Sequence, residues 1–281
     1  MNTRIFKLLM GCLLLLRLTA QAQDDSALNT AMQDFVSQLR DRASADKHDE
    51  KDYADLFQKA DDMLAQHKDQ KTDQVAQILL IKAEIYVEIA TNADRFDHAI
   101  AAIEQIKKDF PETKQAKHAD EIITSFKGAQ ESEKIQAALA VGAPAPEFNE
   151  KDVAGNAISV PGHKSKVVLI DFWATWCGPC RAEFPNVKKT YAAYHDKGFD
   201  IIGVSLDDDK SKLDDYMKEN GVTWPQFFDG QKWNNKLAVK YGIRSIPATF
   251  LVDGNGKILG RDLRGEALSD AVSKALAKGN L

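Results

Sequence analysis

The chain has only three cysteines among its 281 residues, and its first half has little of what interrupts helices. Between residues 23 and 140 there is no cysteine or tryptophan, one proline (Pro111) and one glycine (Gly128). Few turn-forming residues favour a helical structure there and exclude a disulfide framework. A strong charge of one sign is also missing, since the net charge is −5 and spread out, so nothing indicates a nucleic-acid surface.

Long hydrophobic runs are missing as well. The apolar run from Leu8 to Leu16 is shorter than the roughly 20 residues that a membrane-spanning helix needs. Basic Arg4 and Lys7 precede this run, and the small-x-small site Ala20-Gln21-Ala22 follows it. This order is typical of a secretion signal. We therefore expect residues 1–22 to be removed and the protein to be exported, with the periplasm as its expected compartment.

The alternative for this segment is a lipoprotein anchored at Cys12. Leu9-Met10-Gly11-Cys12 loosely resembles a lipobox. Against it, the apolar run continues past that cysteine, where a lipobox would normally end it. Cleavage after Ala22 is the favoured interpretation, and it leaves only Cys177 and Cys180 in the mature protein.

The spacing of Cys177 and Cys180 favours redox chemistry. A structural bridge here closes a very small loop and removes little entropy from the unfolded chain. A closed zinc site needs four ligands, but there is no second CxxC motif and no H-x3-5-H spacing. A structural bridge and a metal site remain as weaker alternatives. We expect no metal and no other cofactor.

The surroundings of the pair explain why it would react. The β-branched run VVLIDF (167–172) predicts a buried strand, and residues 181–195 predict a helix with one apolar face. At a helix N-terminus, free N–H groups and the macrodipole stabilise a thiolate. Cys177 is expected to be the exposed nucleophile, and Cys180, one turn into the helix, the more buried resolving thiol.

Three segments resemble the thioredoxin superfamily, and in particular its secreted thiol–disulfide oxidoreductases of the TlpA/ResA type. VVLIDFWATWCGPCRAEFP (167–185) resembles the active-site segment, and YGIRSIPATFLVDGNGKIL (241–259) the proline loop and the hairpin after it. APAPEFNEKDVAGNAISVPGHKSK (143–166) resembles the extra hairpin of this branch. The resemblance implies an α/β thioredoxin-like fold, a mixed sheet covered by helices, over residues 141–281.

The pattern of the second half agrees with this fold. Strands alternate with helices and end in a hairpin, which predicts a mixed sheet with helices on its faces. The turn Asp253-Gly254-Asn255-Gly256 would close that hairpin, and Gly221 would end a helix. The predicted strands are 167–172, 199–206, 247–253 and 257–263, and the predicted helices are 181–195, 210–220, 234–241 and 267–278.

The resemblance also implies roles for single residues. Asp171 would be the general acid/base for Cys180, although the strand FDIIGVSL (199–206) lacks the lysine that thioredoxins place beside it. Glu183 would tune the cysteine pair. Pro247 would follow a cis peptide bond, so that the backbone at Ile246 can pair with an extended substrate. The remaining candidate for substrate contact is Trp176. A solvated or merely structural carboxylate is the alternative for Asp171 and Glu183.

The first half, residues 23–140, is interpreted as an all-α domain. Apolar residues recur at helical spacing near residues 28–39 and over 52–66, 74–91, 94–110 and 115–138. Residues 95–123 weakly resemble a tetratricopeptide-type helix pair, but the 43-residue offset from Tyr53 to Phe96 exceeds the usual repeat of about 34. A spacer or dimer face and a module that docks a protein partner remain equal alternatives.

Together these observations predict an exported protein-disulfide reductase. Its partners would be a disulfide-containing protein substrate and an upstream electron donor, by resemblance in the membrane. Two alternatives remain open. A peroxiredoxin-like peroxidase is disfavoured because Ile170 and Ala174 do not fit the P-x-x-x-[ST]-x-x-C pattern. The other alternative is an assembly protein in which the helical domain dominates.

Overall fold

The computed structural model describes residues 26–45, 50–89 and 94–278. The chain divides into two compact units, Met1–Gln130 and Glu131–Leu281. The expected signal sequence and Cys12 lie outside the described residues, so both remain predictions. In the three described ranges, no helix has the length and apolar character needed to cross a membrane.

The first unit is helical, as the sequence predicted. Its core side chains, such as Phe35, Leu56 and Ile103, are fully buried and belong to one apolar cluster. The helices are α1 (Ser26–Ser44), α2 (Ala54–Gln66), α3 (Asp73–Ile89), α4 (Arg95–Asp109), the single turn α5 (Lys114–Lys117) and the first part of α6 (Ala119–Ala138), with a 3₁₀ turn at Glu50–Tyr53.

The second unit begins with the last turns of α6 and contains all seven described strands. The strands are β1 (Phe148–Lys151), β2 (Ala157–Val160), β3 (Val167–Trp173), β4 (Phe199–Ser205), β5 (Gln226–Phe228), β6 (Ala248–Asp253) and β7 (Ile258–Arg261). The helices are α7 (Gly178–Tyr194), α8 (Lys210–Asn220), α9 (Lys236–Lys240) and α10 (Gly265–Lys278), with 3₁₀ turns at His195–Lys197 and Lys232–Asn234.

Five strands form one mixed sheet in the order β5-β4-β3-β6-β7. β3 pairs with β4 in parallel and with β6 in antiparallel orientation, so β3 is the central strand. β1 and β2 form a separate antiparallel hairpin. This mixed sheet covered by helices confirms the predicted thioredoxin-like fold class.

Alternation along β3 sends its side chains into two different layers. Val168, Ile170 and Phe172 are buried in one apolar cluster, whereas Val167 and Leu169 are buried in another with residues of α7 and α10. By the same alternation, Asp171 points toward the layer of α7 and α10. An acidic side chain is thus placed beneath the helix that follows β3.

Most predicted elements lie within a few residues of the observed ones, but β5 was not predicted. Its three residues follow Pro225 and show no period of their own. The helix expected at 181–195 begins earlier, at Gly178, because Pro179 fits the first turn of a helix. The expected helix stop at Gly221 is confirmed, with φ 61°.

Candidate active site

The two cysteines lie where the central strand passes into a helix. β3 ends at Trp173 and α7 begins at Gly178, so Cys177 is the N-cap residue of α7. Cys177 and Cys180 form a disulfide with an S–S distance of 2.05 Å. The backbone N–H of Cys180 donates a hydrogen bond to Sγ of Cys177, with 3.2 Å between N and Sγ. The cap that a Ser or Asp oxygen usually provides is here provided by sulfur.

The expected difference in exposure between the cysteines is wrong for this disulfide-bonded state. Cys177 is 5% exposed and Cys180 is 6% exposed. In this state the Cys177 sulfur is bonded to the Cys180 sulfur and accepts a hydrogen bond from the backbone N–H of Cys180 in the first turn of α7. Exposure in this state therefore does not distinguish an attacking from a resolving cysteine.

The loop before Cys177 is held by a buried carboxylate that sequence reasoning missed. Asp207, which is 1% exposed, accepts hydrogen bonds from the Thr175 backbone N–H at 3.1 Å and from the Thr175 hydroxyl at 2.6 Å. The Ser205 hydroxyl donates to the same carboxylate at 2.8 Å. The sequence places this acidic residue just after β4. Because the parallel strands β3 and β4 end at the same edge of the sheet, it could have been expected near the loop that follows β3.

Two tryptophans near the cysteines lie in different environments. Trp173 is buried, and its Nε1–H donates to Oε1 of Gln226 at 2.9 Å. The Gln226 side chain lies over Gly203 so closely that a Cβ there would meet its Oε1 at 2.1 Å, so β4 needs a glycine at this position. Trp176, in contrast, is 49% exposed.

A second exposed tryptophan, Trp233, packs against Trp176. Trp233 is 44% exposed, and the two indole rings meet edge to face with 6.0 Å between their centroids. Such pairs favour this arrangement because of the ring quadrupole. Trp233 was not among the sequence candidates, since it lies 57 residues further along the chain and carries no motif.

The peptide bond between Ile246 and Pro247 is cis, as the resemblance implies. Both residues are partly buried and directly precede β6. Among the described residues, no backbone group forms a hydrogen bond with the backbone of Ile246. The carbonyl of Pro247 accepts a hydrogen bond from Nη2 of Arg264 at 2.6 Å.

A small cavity with room for about one water molecule lies below Cys180. Four of the predicted site residues line it together, namely Asp171, Cys180, Glu183 and Pro247. Arg264, which was not predicted, also lines it. Cys177, Trp176 and Ile246 are not lining residues. Within the described residues, no group of three or more His, Cys, Asp or Glu side chains could hold a metal ion.

The pKa of Asp171 is raised to about 7 from an ordinary value of 3.8. Burial is the main cause, and the positive charge of Arg264 lowers the pKa against it. The negative charge of Glu183 raises the pKa further. Asp171 is only partly buried by surface area, but it lines the cavity and protein atoms surround its carboxylate closely. The group can therefore gain or lose a proton near neutral pH.

A mixed sheet with a CxxC disulfide at the N-terminus of the helix after its central strand, next to a cis-proline, defines a thiol–disulfide oxidoreductase of the thioredoxin superfamily. The family model Redoxin matches residues 140–277. The ResA thiol–disulfide oxidoreductase of Geobacillus thermodenitrificans is 34% identical over 121 residues, which cover 43% of this chain and 68% of the relative. ResA of Bacillus thuringiensis strain Al Hakam is 32% identical over 149 residues, covering 53% and 81%.

Solved structures are similar over the same share of the chain. The thioredoxin domain of a thiol–disulfide oxidoreductase from Bacteroides vulgatus is 38% identical, with a TM-score of 0.45, covering 49% of this chain and 99% of that domain. The chain belongs to the ResA family of thiol–disulfide oxidoreductases. It is an enzyme of thiol–disulfide exchange, which disfavours the peroxidase and assembly-protein alternatives.

Proposed function

We propose that the protein is an exported reductase of disulfides in other proteins, with Cys177 as the attacking thiolate and Cys180 as the resolving thiol. The position of Cys177 as N-cap of the 17-residue helix α7 carries this proposal. The free N–H groups and the positive end of the helix dipole favour the thiolate over the thiol at that position. Thiols in CxxC sites of this kind have pKa values below the free value of about 8.5.

The reaction would run in two exchanges. The Cys177 thiolate attacks one sulfur of the substrate disulfide, an intermolecular S–S bond forms, and the other substrate sulfur leaves as a thiolate that takes up a proton. Cys180 then loses its proton and attacks the Cys177 sulfur, which releases the second substrate thiolate. The substrate gains two electrons and two protons, and the enzyme ends with the Cys177–Cys180 disulfide.

Asp171 is the group that would accept the Cys180 proton. Both residues line the same cavity, and a pKa of about 7 lets this carboxylate act as a base at neutral pH and be recharged afterwards. Its ordinary value of 3.8 would make it a much weaker base. Glu183 belongs to the same proposal as the carboxylate that tunes Asp171 from α7.

The substrate would lie across the proline loop and the exposed indoles. The backbone of Ile246, before the cis bond to Pro247, can pair with an extended substrate strand in the manner of β-strand addition. Trp176 directly precedes the attacking cysteine and offers an exposed aromatic face to the residues that flank the substrate disulfide.

The dipeptide between the cysteines supports reduction as the direction of the reaction. Gly178 and Pro179 are the pair found in thioredoxin, whose potential of about −270 mV makes it a reductant, whereas the oxidant DsbA lies at about −120 mV. A reductase in an oxidising compartment must be reduced again after each turnover. A membrane electron carrier on the same side as the exported protein is the proposed donor.

Reduction of insulin by stoichiometric reduced protein tests the proposal. The intact protein should reduce about one disulfide per molecule, and Cys177→Ser should reduce none. Cys180→Ser should form a mixed disulfide without release. Equilibration with glutathione buffers then gives the direction, since a potential closer to DsbA than to thioredoxin would contradict a reductase. Insulin reduction by Cys177→Ser at the rate of the intact protein would contradict the assignment of the nucleophile.

A further inference from the structure

Arg264 joins two parts of the site that lie on different elements. The residue follows β7 and directly precedes α10. Its Nη2 donates to the carbonyl of Pro247 at 2.6 Å, and its Nη1 donates to Oγ1 of Thr249 at 3.2 Å and to the carbonyl of Leu263 at 2.8 Å. The guanidinium also lines the cavity below Cys180.

We propose that Arg264 is a positioning residue for the exchange reaction, because one guanidinium fixes the backbone of the cis-proline loop and places the positive charge that faces Asp171. The proposal rests on the proposed function for the role of Asp171 in resolution. It adds a residue that neither the CxxC motif nor the resemblance indicates.

The strand register explains how one side chain serves both purposes. Asp171 on β3 is paired with Thr249 on β6, and Pro247 lies two residues before Thr249. The Arg264 guanidinium bonds both the Thr249 hydroxyl and the Pro247 carbonyl. The strand pairing therefore places this guanidinium next to Asp171. Arginine suits this place, because its planar group offers several fixed donors at once, whereas lysine offers a single point charge.

The charges around Asp171 come from few elements. β4 places Gly203 opposite, which has no side chain, and β6 contributes the neutral Thr249. α7 contributes Glu183, whose negative charge disfavours the ionised carboxylate, and the segment before α10 contributes Arg264, whose positive charge favours it. The lysine that thioredoxins place on the neighbouring strand is absent from β4. Arg264 provides the missing cation from a different part of the chain.

Loss of this cation has a direct consequence for catalysis. Without the opposing positive charge, burial and Glu183 act alone, so the pKa of Asp171 rises above about 7. The carboxylate would then be protonated at neutral pH and unable to accept the Cys180 proton. Loss of the hydrogen bond to Pro247 would, in addition, loosen the loop that we propose to hold the substrate.

The test compares Arg264→Gln and Arg264→Lys with the control Arg244→Gln, which removes an exposed charge near the same loop. The Asp171 titration is followed by NMR of its side-chain carboxyl carbon in the oxidised full chain, which needs no substrate. Arg264→Gln should raise the midpoint by about one pH unit, Arg264→Lys by clearly less, and Arg244→Gln not at all. Resolution of a mixed disulfide at pH 7 should slow about fivefold in Arg264→Gln and recover at higher pH.

An unchanged Asp171 midpoint in folded Arg264→Gln would overturn the proposal, because a purely structural role moves stability but not this titration. If circular dichroism shows that Arg264→Gln does not fold, Arg264→Lys decides. Lysine keeps the positive charge, but it lacks the planar group with which arginine bonds three acceptors at once. Resolution of the mixed disulfide should therefore slow at every pH, and a wild-type rate would overturn the proposal. A shifted midpoint in a protein that reduces no disulfide would instead contradict the proposed function alone.

Discussion

The carboxylate of Glu183 accepts a hydrogen bond from the backbone N–H of Gly265, with 2.6 Å between Oε1 and N. The two residues are 82 positions apart, and the bond joins the first turns of α7 to the start of α10. Glu183 is thereby held beside the cavity with a fixed orientation. Its negative charge acts on Asp171 from a defined position, whereas a solvated helix carboxylate would be screened.

Replacing Glu183 by glutamine should separate its charge from its hydrogen bond. Gln keeps an oxygen that can accept from Gly265 but removes the charge that raises the pKa of Asp171, so the pKa should fall from about 7 by about half a unit. The pH midpoint of mixed-disulfide resolution should move down with it. Glu183→Ala should show the same shift and lose in addition about 1 kcal/mol of stability.

The control for this charge effect is Glu219→Gln, an exposed carboxylate at the end of α8. It should leave the midpoint where it is. A midpoint that stays unchanged in Glu183→Gln while Glu183→Ala unfolds more easily would assign Glu183 a structural role only.

Asp171→Asn should stabilise the oxidised protein at alkaline pH. The folded-state pKa of about 7 exceeds the ordinary value of 3.8, so the folded protein binds the proton more tightly, and stability falls as pH rises from about 4 to about 7. Above that window the ionised carboxylate costs about 4 kcal/mol, which the neutral amide avoids. All four tryptophans lie in the second unit, so urea unfolding followed by tryptophan fluorescence reports on that unit.

The difference in unfolding free energy between Asp171→Asn and wild type is the relevant quantity. It should be small at pH 4 and reach its full size near pH 8. Groups with lowered pKa, such as Asp55 and Asp208, are common to both proteins and cancel in this difference. The exposed Asp215→Asn is the matched control. An equal difference at both pH values would contradict a raised pKa at Asp171.

Sequence patterns and the family resemblance predicted the cysteine segment and the proline loop, but they missed Arg264 and Asp207, which the tertiary structure brings to the site. Cys177, Cys180, Asp171 and Glu183 lie within 13 residues, on a strand and a helix that local patterns identify. Arg264 and Asp207 reach the same site from distant parts of the chain, and neither belongs to a local motif. Asp207 could have been suspected from its place after β4, whereas Arg264 depends on the pairing of β3 with β6, which one sequence does not reveal.

The exposed tryptophan pair should matter for large substrates and not for small ones. Trp176→Ala and Trp233→Ala each remove one indole of the exposed Trp176–Trp233 pair. The kcat/KM for a protein disulfide should therefore fall about 5- to 30-fold, the usual effect of losing about 1 to 2 kcal/mol from an interface aromatic. Activity toward a small disulfide such as oxidised glutathione should change little. Val239→Ala, another exposed apolar residue, is the control. Equal losses on both substrates would indicate a change at the cysteines instead of lost contact.

Cys180→Ser should trap the natural substrate in the cell. Attack by Cys177 remains possible, but the thiol that resolves the mixed disulfide is gone, so the adduct persists. Covalent adducts should therefore appear on a non-reducing gel, and dithiothreitol should release them for identification. Cys177→Ser should trap none. Adducts in Cys177→Ser but not in Cys180→Ser would reverse the assigned roles.

The same trap can show what the helical unit does, provided that the truncation respects the fold. A deletion of residues 23–140 would remove the last turns of α6 and the residues just after it. The carbonyls of Gln136 in α6 and of Leu139 after it accept hydrogen bonds from Arg261 at 2.9 and 3.0 Å. A deletion of 23–130 in Cys180→Ser keeps these contacts and ends at the boundary between the two units. If the helical unit docks a partner, the adducts should disappear while insulin is still captured. The same adducts in the truncated protein would leave the unit a spacer, and loss of insulin capture as well would mean that the second unit needs the first to fold.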